Sequence, residues 1–303
     1  MSDCIYNPDE RQERLSSFEK HRKGVEMAKL SKFYAIAGET KKAKRCEECG
    51  TFLAFNVYRH KETGEQKRTL DGANFCEVRW CGMCAWRKSR KLVGEFKSLL
   101  AQVEEQQPVK YVFMTLTLKN PPLTELRATL KQMSRAFRNM TKTTEFRDVV
   151  GFIRTLEVLG GKTKRGLAHP HYHTLMVVKP EYFTKGHYVP QARWCEVWKR
   201  CLKVDYTPIA DVRRIKPKRE GWSAIESALF ETLKYLAKPQ EIKKLTPDEF
   251  IVFDQQTKGA QQYARGGVLK ILKPREREEL DPTIWEKLER EFYQWVGGKY
   301  KET

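Results

Sequence analysis

Two Cys-x-x-Cys pairs, Cys46-Glu-Glu-Cys49 and Cys81-Gly-Met-Cys84, leave 31 residues, 50 to 80, between them. Each pair can give two thiolates to one tetrahedral zinc, so service to a common ion requires the chain to fold back on itself. Compact ribbons use roughly 15 to 20 intervening residues. The longer interval predicts a hairpin over Thr51 to Arg79, with Lys61-Glu-Thr-Gly64 as its turn. Cys76 lies five positions before Cys81 and competes for one of the four places. Cys4, Cys195 and Cys201 have no partner pattern and read as buried thiols. A zinc with four thiolates has no open position for chemistry, so the module's expected roles are folding and DNA contact.

Charge narrows the partner. The 303 residues include 58 Lys or Arg against 39 Asp or Glu, a formal net charge of +19. Such an excess repels itself in a compact body unless a polyanion offsets it, and nucleic acid is the commonest polyanion in a cell. Basic runs occur at Lys41 to Arg45, Arg87 to Lys91, Lys162 to Arg165 and Arg213 to Arg219. From these, Arg87, Lys88, Arg90, Lys162, Lys164, Arg165, Arg213 and Arg214 are expected on DNA phosphates. No apolar run approaches the roughly eighteen residues of a membrane span, and the N-terminal segment is too polar for a signal peptide. The expectation is a cytoplasmic protein without membrane contact, its cysteines present as thiols or metal ligands.

His169-Pro-His171-Tyr-His173 places three of the six histidines within five residues. On a strand, alternation projects all three imidazoles from one face, with Tyr172, Thr174 and Met176 on the other. Such a face is a preformed site for a divalent metal, and Glu157, on a strand one hairpin away, can complete it. Whether the third protein ligand is Glu157 or His169 is open at this level. The connecting loop, Gly160 to Gly166, is basic and glycine-rich.

Around these motifs the pattern alternates between periods. It predicts a helical arm from Asp9 to about Ala37, a helix near Lys91 to Val103, a strand at Tyr111 to Leu118 and a helix at Leu123 to Met140. Strands at Gly151 to Leu159 and Pro170 to Val178, a helix at Gln191 to Leu202 and a strand at Ala210 to Lys216 follow. Trp222 to Lys238 is an amphipathic helix stopped by Pro239. Trp222, Ile225, Leu229, Leu233 and Leu236 form its apolar stripe, with Ser227, Glu231, Lys234, Tyr235 and Lys238 opposite. Glu231 and Tyr235 are four apart and hence neighbours on the helix surface. A tyrosine whose phenolate is stabilised by lysines or a metal is a nucleophile, and a nearby carboxylate can serve as general base for water. A Gly- and Gln-rich loop around Lys258 to Gly267 and a helix at Pro282 to Trp295 complete the chain.

Taken in order, these blocks resemble the replication initiators of rolling-circle plasmids, in the HUH endonuclease superfamily (His, bulky hydrophobe, His). Phe113-Met-Thr-Leu-Thr-Leu-Lys-Asn120 is similar to the family's first motif, and His171-Tyr172-His173 to the HUH element, which in the family binds Mg²⁺ or Mn²⁺. Glu231-Thr-Leu-Lys-Tyr235-Leu-Ala-Lys238 resembles the motif of the subgroup pairing one catalytic tyrosine with a glutamate one turn earlier. The stretch Cys76 to Arg87 resembles the cysteine-rich segment ahead of that group's catalytic core.

The resemblance implies an α+β fold with an HUH-type, ferredoxin- or RRM-like antiparallel sheet flanked by helices, preceded by the zinc-binding module. The implied organisation is an arm over residues 1–40, a cysteine-rich module over 41–104, a nicking and joining domain over 105–240 and a helical extension over 241–303. It further implies binding of origin DNA, double- and single-stranded, and cleavage of one strand with Tyr235 as nucleophile. Lys234 or Lys238 would lower the phenol's proton affinity, and Glu231 would assist termination. Host helicase and replication machinery are the implied partners. An HUH transposase or a mobilisation relaxase uses the same chemistry. A histidine-triad nucleotide hydrolase leaves Glu231 and Tyr235 unexplained, and a non-catalytic zinc-dependent DNA-binding regulator leaves the histidine strand unexplained.

Overall fold

A computed structural model describes residues 8–23, 25–160, 163–215, 223–233, 239–275 and 279–303. The chain begins with α1 (Pro8–Arg22), α2 (Val25–Ile36) and α3 (Thr40–Glu48), followed by the hairpin β1 (Phe52–His60) and β2 (Gln66–Ala73). Then come α4 (Gly82–Gln106), β3 (Lys110–Thr117), α5 (Leu126–Met140), β4 (Val149–Glu157), β5 (His171–Val178), α6 (Gln191–Leu202) and β6 (Ala210–Arg214). The remainder holds α7 (Ala224–Leu233), α8 (Pro247–Thr257), β7 (Tyr263–Gly267), α9 (Val268–Ile271), β8 (Trp285–Val296) and β9 (Lys299–Glu302). The fold is mixed α+β, with two antiparallel sheets flanked by helices. The chain divides into two compact units, Met1–Gly94 with Glu276–Thr303, and Glu95–Arg275.

The first unit is built on a four-stranded sheet of order β2-β1-β8-β9. The hairpin expected between the cysteine pairs is β1–β2. The expected helix at Pro282 to Trp295 is instead the twelve-residue strand β8. Its glutamates, Lys287, Arg290 and Leu288 permit a helix, but pairing with β1 on one side and β9 on the other outweighs that preference. Residues 241–303 thus hold strands β7, β8 and β9 as well as helices α8 and α9. β8 also supplies Glu291, which with Arg68 forms a buried two-point ion pair at 2.8 and 2.6 Å, joined by the Tyr293 hydroxyl at 2.8 Å. The N-terminal helices are part of this core, because Phe18 is buried against Phe55, Trp86 and Tyr300.

The second unit carries a five-stranded sheet of order β6-β3-β5-β4-β7. The stretch expected as a Gly- and Gln-rich loop ends in its edge strand β7, and Gly266 is required there because an added Cβ would lie 2.2 Å from the Phe152 ring. One sheet face receives α5 through Phe137, which meets Tyr172 and Phe152 edge-on. Arg154 is buried on this face with its guanidinium over the Tyr172 and Phe137 rings. The opposite face bears His171 and His173 and packs against α7, which touches β3, β4 and β5. Trp194 and Trp198 of α6 are fully buried core residues.

Candidate active site

Strand register assembles the site. Glu157 and Thr117 flank His171 across the sheet, and Thr155 and Thr115 flank His173. Partners in an antiparallel ladder share a face, so six side chains from three strands meet on one surface. Glu157, His171 and His173 are all buried there. Their ligand atoms lie within 4.8 Å of one another, and Glu157 Oε2 is 3.0 Å from each histidine Nε2.

The His171 Nδ1–H donates to the carbonyl of His169 at 2.8 Å, which orients the ring with its Nε2 toward Glu157. Two imidazole nitrogens and a carboxylate oxygen suit a divalent cation. Adjacent ligands of an octahedral Mg²⁺ stand about 3 Å apart, so the donor set and its spacing fit.

His169 is outside this group. Pro170 has no amide to join the ladder, and β5 begins only at His171. The His169 ring instead contacts Asn120 Oδ1 through Nδ1 at 2.6 Å, while its backbone orients His171. Burial first, and the neighbouring His171 second, push its pKa down, against the pull of Glu157. Of the two candidates for third ligand, the structure therefore groups Glu157 with the histidine pair.

In the first unit the sulfurs of Cys49, Cys76, Cys81 and Cys84 converge within 4.8 Å. Three of the spacings are 3.5, 3.7 and 3.6 Å. Four thiolates about 2.3 Å from one zinc stand about 3.8 Å apart, so this set also fits its ion. Cys46 is replaced by Cys76 in the converging four. Cys46 lies inside the last turn of α3, whereas Cys76 leaves β2 with its amide donating to Cys49 Sγ at 3.4 Å. The sulfur of Cys76 pushes the Cys46 and Cys49 thiols up and that of Cys49 pushes Cys81 up, with burial adding to each. Several thiolates this close need a cation among them.

A family model described as "Replication protein" matches residues 67–294, a span that includes Cys76 to Cys84, the histidine strand and α7. The chain belongs to the replication protein family. "Protein rep" of Bacillus amyloliquefaciens is 35% identical over 248 residues, covering 76% of this chain and 71% of that protein. "Protein rep" of Lactiplantibacillus plantarum is 30% identical over 258 residues, with 82% and 79% covered. The Streptococcus pneumoniae "Protein rep" is 36% identical over 200 residues, with 65% and 60% covered. These relationships agree with the resemblance to plasmid replication initiators drawn from its motifs. No solved structure matches this one.

In this replication protein α7 is described from Ala224 to Leu233; Lys234, Tyr235 and Lys238 lie outside the described residues, as does the side chain of Glu231. Ile225, Leu229 and Leu233 are buried as expected, but Ser227, expected on the polar face, is fully buried as well. Of the side chains expected on DNA, Lys88, Arg90, Lys164, Arg165, Arg213 and Arg214 are exposed and Arg87 is half-buried, while Lys162 lies outside the described residues. Arg87 sits over the Phe75 ring, Arg213 over Phe113 and Arg214 over Phe183, and Arg165 pairs with Glu249 at 3.3 Å. Burial and the nearby Arg79 push the Lys88 pKa down. No helix among the described residues is long and apolar enough to cross a membrane. The motif reading passed over Thr155 and the His169 carbonyl. For Thr155 a signal existed, since it precedes Glu157 by two positions on a strand and so shares its face.

Proposed function

We propose that this replication protein is a rolling-circle initiator that binds its plasmid origin, as duplex and as single strand, and nicks one strand on an HUH-type sheet. The observation that carries this reading is the convergence of Glu157, His171 and His173 on the face that packs against α7, whose sequence continues to Tyr235. Tyr235 is the nucleophile. Its phenolic oxygen gives up a proton and bonds to phosphorus as the bond from phosphorus to the 3′ oxygen breaks. The 3′ oxygen takes a proton and becomes the free 3′-OH for polymerase extension, leaving a 5′-phosphotyrosine link. Lys234 or Lys238 stabilises the phenolate.

His171, His173 and Glu157 would hold Mg²⁺ or Mn²⁺, which when bound would supply polarisation of the scissile phosphate and offset charge in the transition state. The link conserves the phosphodiester energy, so rejoining needs no nucleotide cofactor. Glu231 then accepts a proton from water, or assists a second cleavage, and the enzyme terminates. Zinc in the cysteine group is structural, and exposed arginines and lysines hold the phosphates, which makes binding steeply salt-dependent. The setting is the cytoplasm, where helicase and polymerase of the host extend the primer.

The test is incubation with supercoiled origin plasmid and single-stranded origin oligonucleotides in Mn²⁺, with Tyr235→Phe alongside, resolved on denaturing gels. A protein-linked 5′ end that requires both Tyr235 and metal is the expected result. Tight binding of a cognate origin without any adduct would replace this reading with a DNA-binding regulator.

A further inference from the structure

Thr155 lies near the C-terminal end of β4, two residues before Glu157, and is fully buried. A buried hydroxyl is costly unless it is hydrogen-bonded, and a valine of the same shape would fill the space at no such cost. The Thr155 hydroxyl donates to the carbonyl of Thr232 in α7 at 3.1 Å and also reaches the carbonyl of His173 at 3.4 Å. One side chain thus joins the strand that carries Glu157, the strand that carries His173, and the helix packed over both.

The apolar contacts of Ile225, Leu229 and Leu233 hold α7 to the sheet without specifying its position along the strands, because apolar burial is non-directional. Directional contacts do that. At the start of the helix the Ser223 amide donates to Glu226 Oε2 at 3.0 Å and the Glu226 amide donates to Ser223 Oγ at 3.1 Å, while Lys97 of α4 pairs with Glu226 at 3.0 Å. Toward the other end, among the described residues, Thr155 supplies such a contact. Three residues of chain connect Thr232 to Tyr235, a span of about 11 Å at most. Holding the Thr232 backbone therefore limits where Tyr235 can stand relative to the histidine and glutamate ligands.

We infer that Thr155 is a positioning residue for strand cleavage, its hydroxyl setting the height of α7 over the Glu157, His171 and His173 group. The inference rests on the proposed nicking activity. Neither the tyrosine motif nor the HUH element includes this residue. Its action is geometric: its hydroxyl works through the backbone of α7, so its loss misplaces the nucleophile while ligands and nucleophile all remain.

The experiment compares full-length protein with Thr155→Val, which removes the hydroxyl, and Thr155→Ser, which keeps it. Single-turnover cleavage of a saturating origin oligonucleotide in Mn²⁺ is measured together with oligonucleotide affinity, Mn²⁺ affinity and thermal melting. The expected result is a cleavage rate reduced roughly 10- to 100-fold in Thr155→Val, with both affinities and a folded melting profile retained, and a near-native rate in Thr155→Ser. Equal cleavage by Thr155→Val and the native protein overturns the inference. So does loss of folding or of Mn²⁺ affinity in Thr155→Val, which would make the hydroxyl a support of the sheet or of the ligands. Failure of the native protein itself to cleave would remove the nicking reading, and is distinguished by that control.

Discussion

Four sulfurs from the end of α3, the β2–α4 connection and the first turn of α4 close to 3.5–3.7 Å in the first unit. In the second unit three donors on two adjacent strands meet at 3.0 Å around one carboxylate oxygen. The first set is soft, comes from loops and helix ends, and fills all four positions of a tetrahedral ion. The second is hard, sits on paired strands, and supplies half of an octahedron. A saturated ion can only fold its ligands together, whereas an unsaturated one can take a phosphate oxygen. The scaffolds follow the same division: the cysteines lie where local sequence has little structure of its own, while the histidines and glutamate lie where ladder pairing already fixes their separation.

The largest effect expected from this contrast is on the cysteine group. Cys81→Ser, or zinc removal by a strong chelator, should unfold the first unit, since structural zinc supplies on the order of 10 kcal/mol of folding free energy. Circular dichroism before and after chelation checks this, and a chelated protein that keeps its first unit would break the comparison. Next is the Arg68–Glu291 pair, a buried contact that also organises the first unit. Arg68→Ala leaves a buried carboxylate without its cation and should cost about 3–5 kcal/mol in denaturant unfolding. Were Arg68→Ala to unfold the zinc-loaded unit outright, the metal would not be the dominant constraint.

Glu157→Gln should behave in the opposite way to the cysteine change. Its melting should stay close to native, while Mn²⁺-dependent cleavage should fall by about 100-fold, or roughly 2.7 kcal/mol of transition-state stabilisation. A variant that unfolded without losing its cleavage rate would assign the second group to folding too.

The smallest effect is a pH dependence that belongs to neither metal group. The Ser223 amide first, and Lys97 next, hold the Glu226 carboxyl down to about 2 from the usual 4.5. A depressed folded value means the stabilisation is present above 4.5 and lost as pH falls toward 2. The melting difference between native protein and Glu226→Gln should therefore be largest above 4.5 and vanish at the acid end. A difference independent of pH would mean that the Ser223 and Lys97 contacts do not act through charge.

The residues differ in how much of this was visible before folding. His171 and His173 follow from the two-residue period of a strand, the β1–β2 hairpin from the interval between cysteine pairs, and the apolar stripe of α7 from helical spacing. All three are local properties of backbone geometry. Ser227 escaped because a small hydroxyl residue gives no hydropathy signal of the side it takes, and β8 escaped because its composition suits a helix until β1 and β9 are present to pair with it.

By itself the chain's order of residues determined which chemistries are available: two thiol pairs with a fifth cysteine between them, a histidine strand, a glutamate and tyrosine four residues apart, and a charge that demands a polyanion. Tertiary structure alone gathered Cys76 with the sulfurs of Cys49, Cys81 and Cys84, set Glu157 against the His171 and His173 pair, and brought Thr155 to the carbonyl of Thr232. The physical reason is that a ligand set is chosen by distances of a few ångströms among residues far apart in the chain. Those distances are set by strand register and helix packing, to which the spacing of residues along the chain is blind.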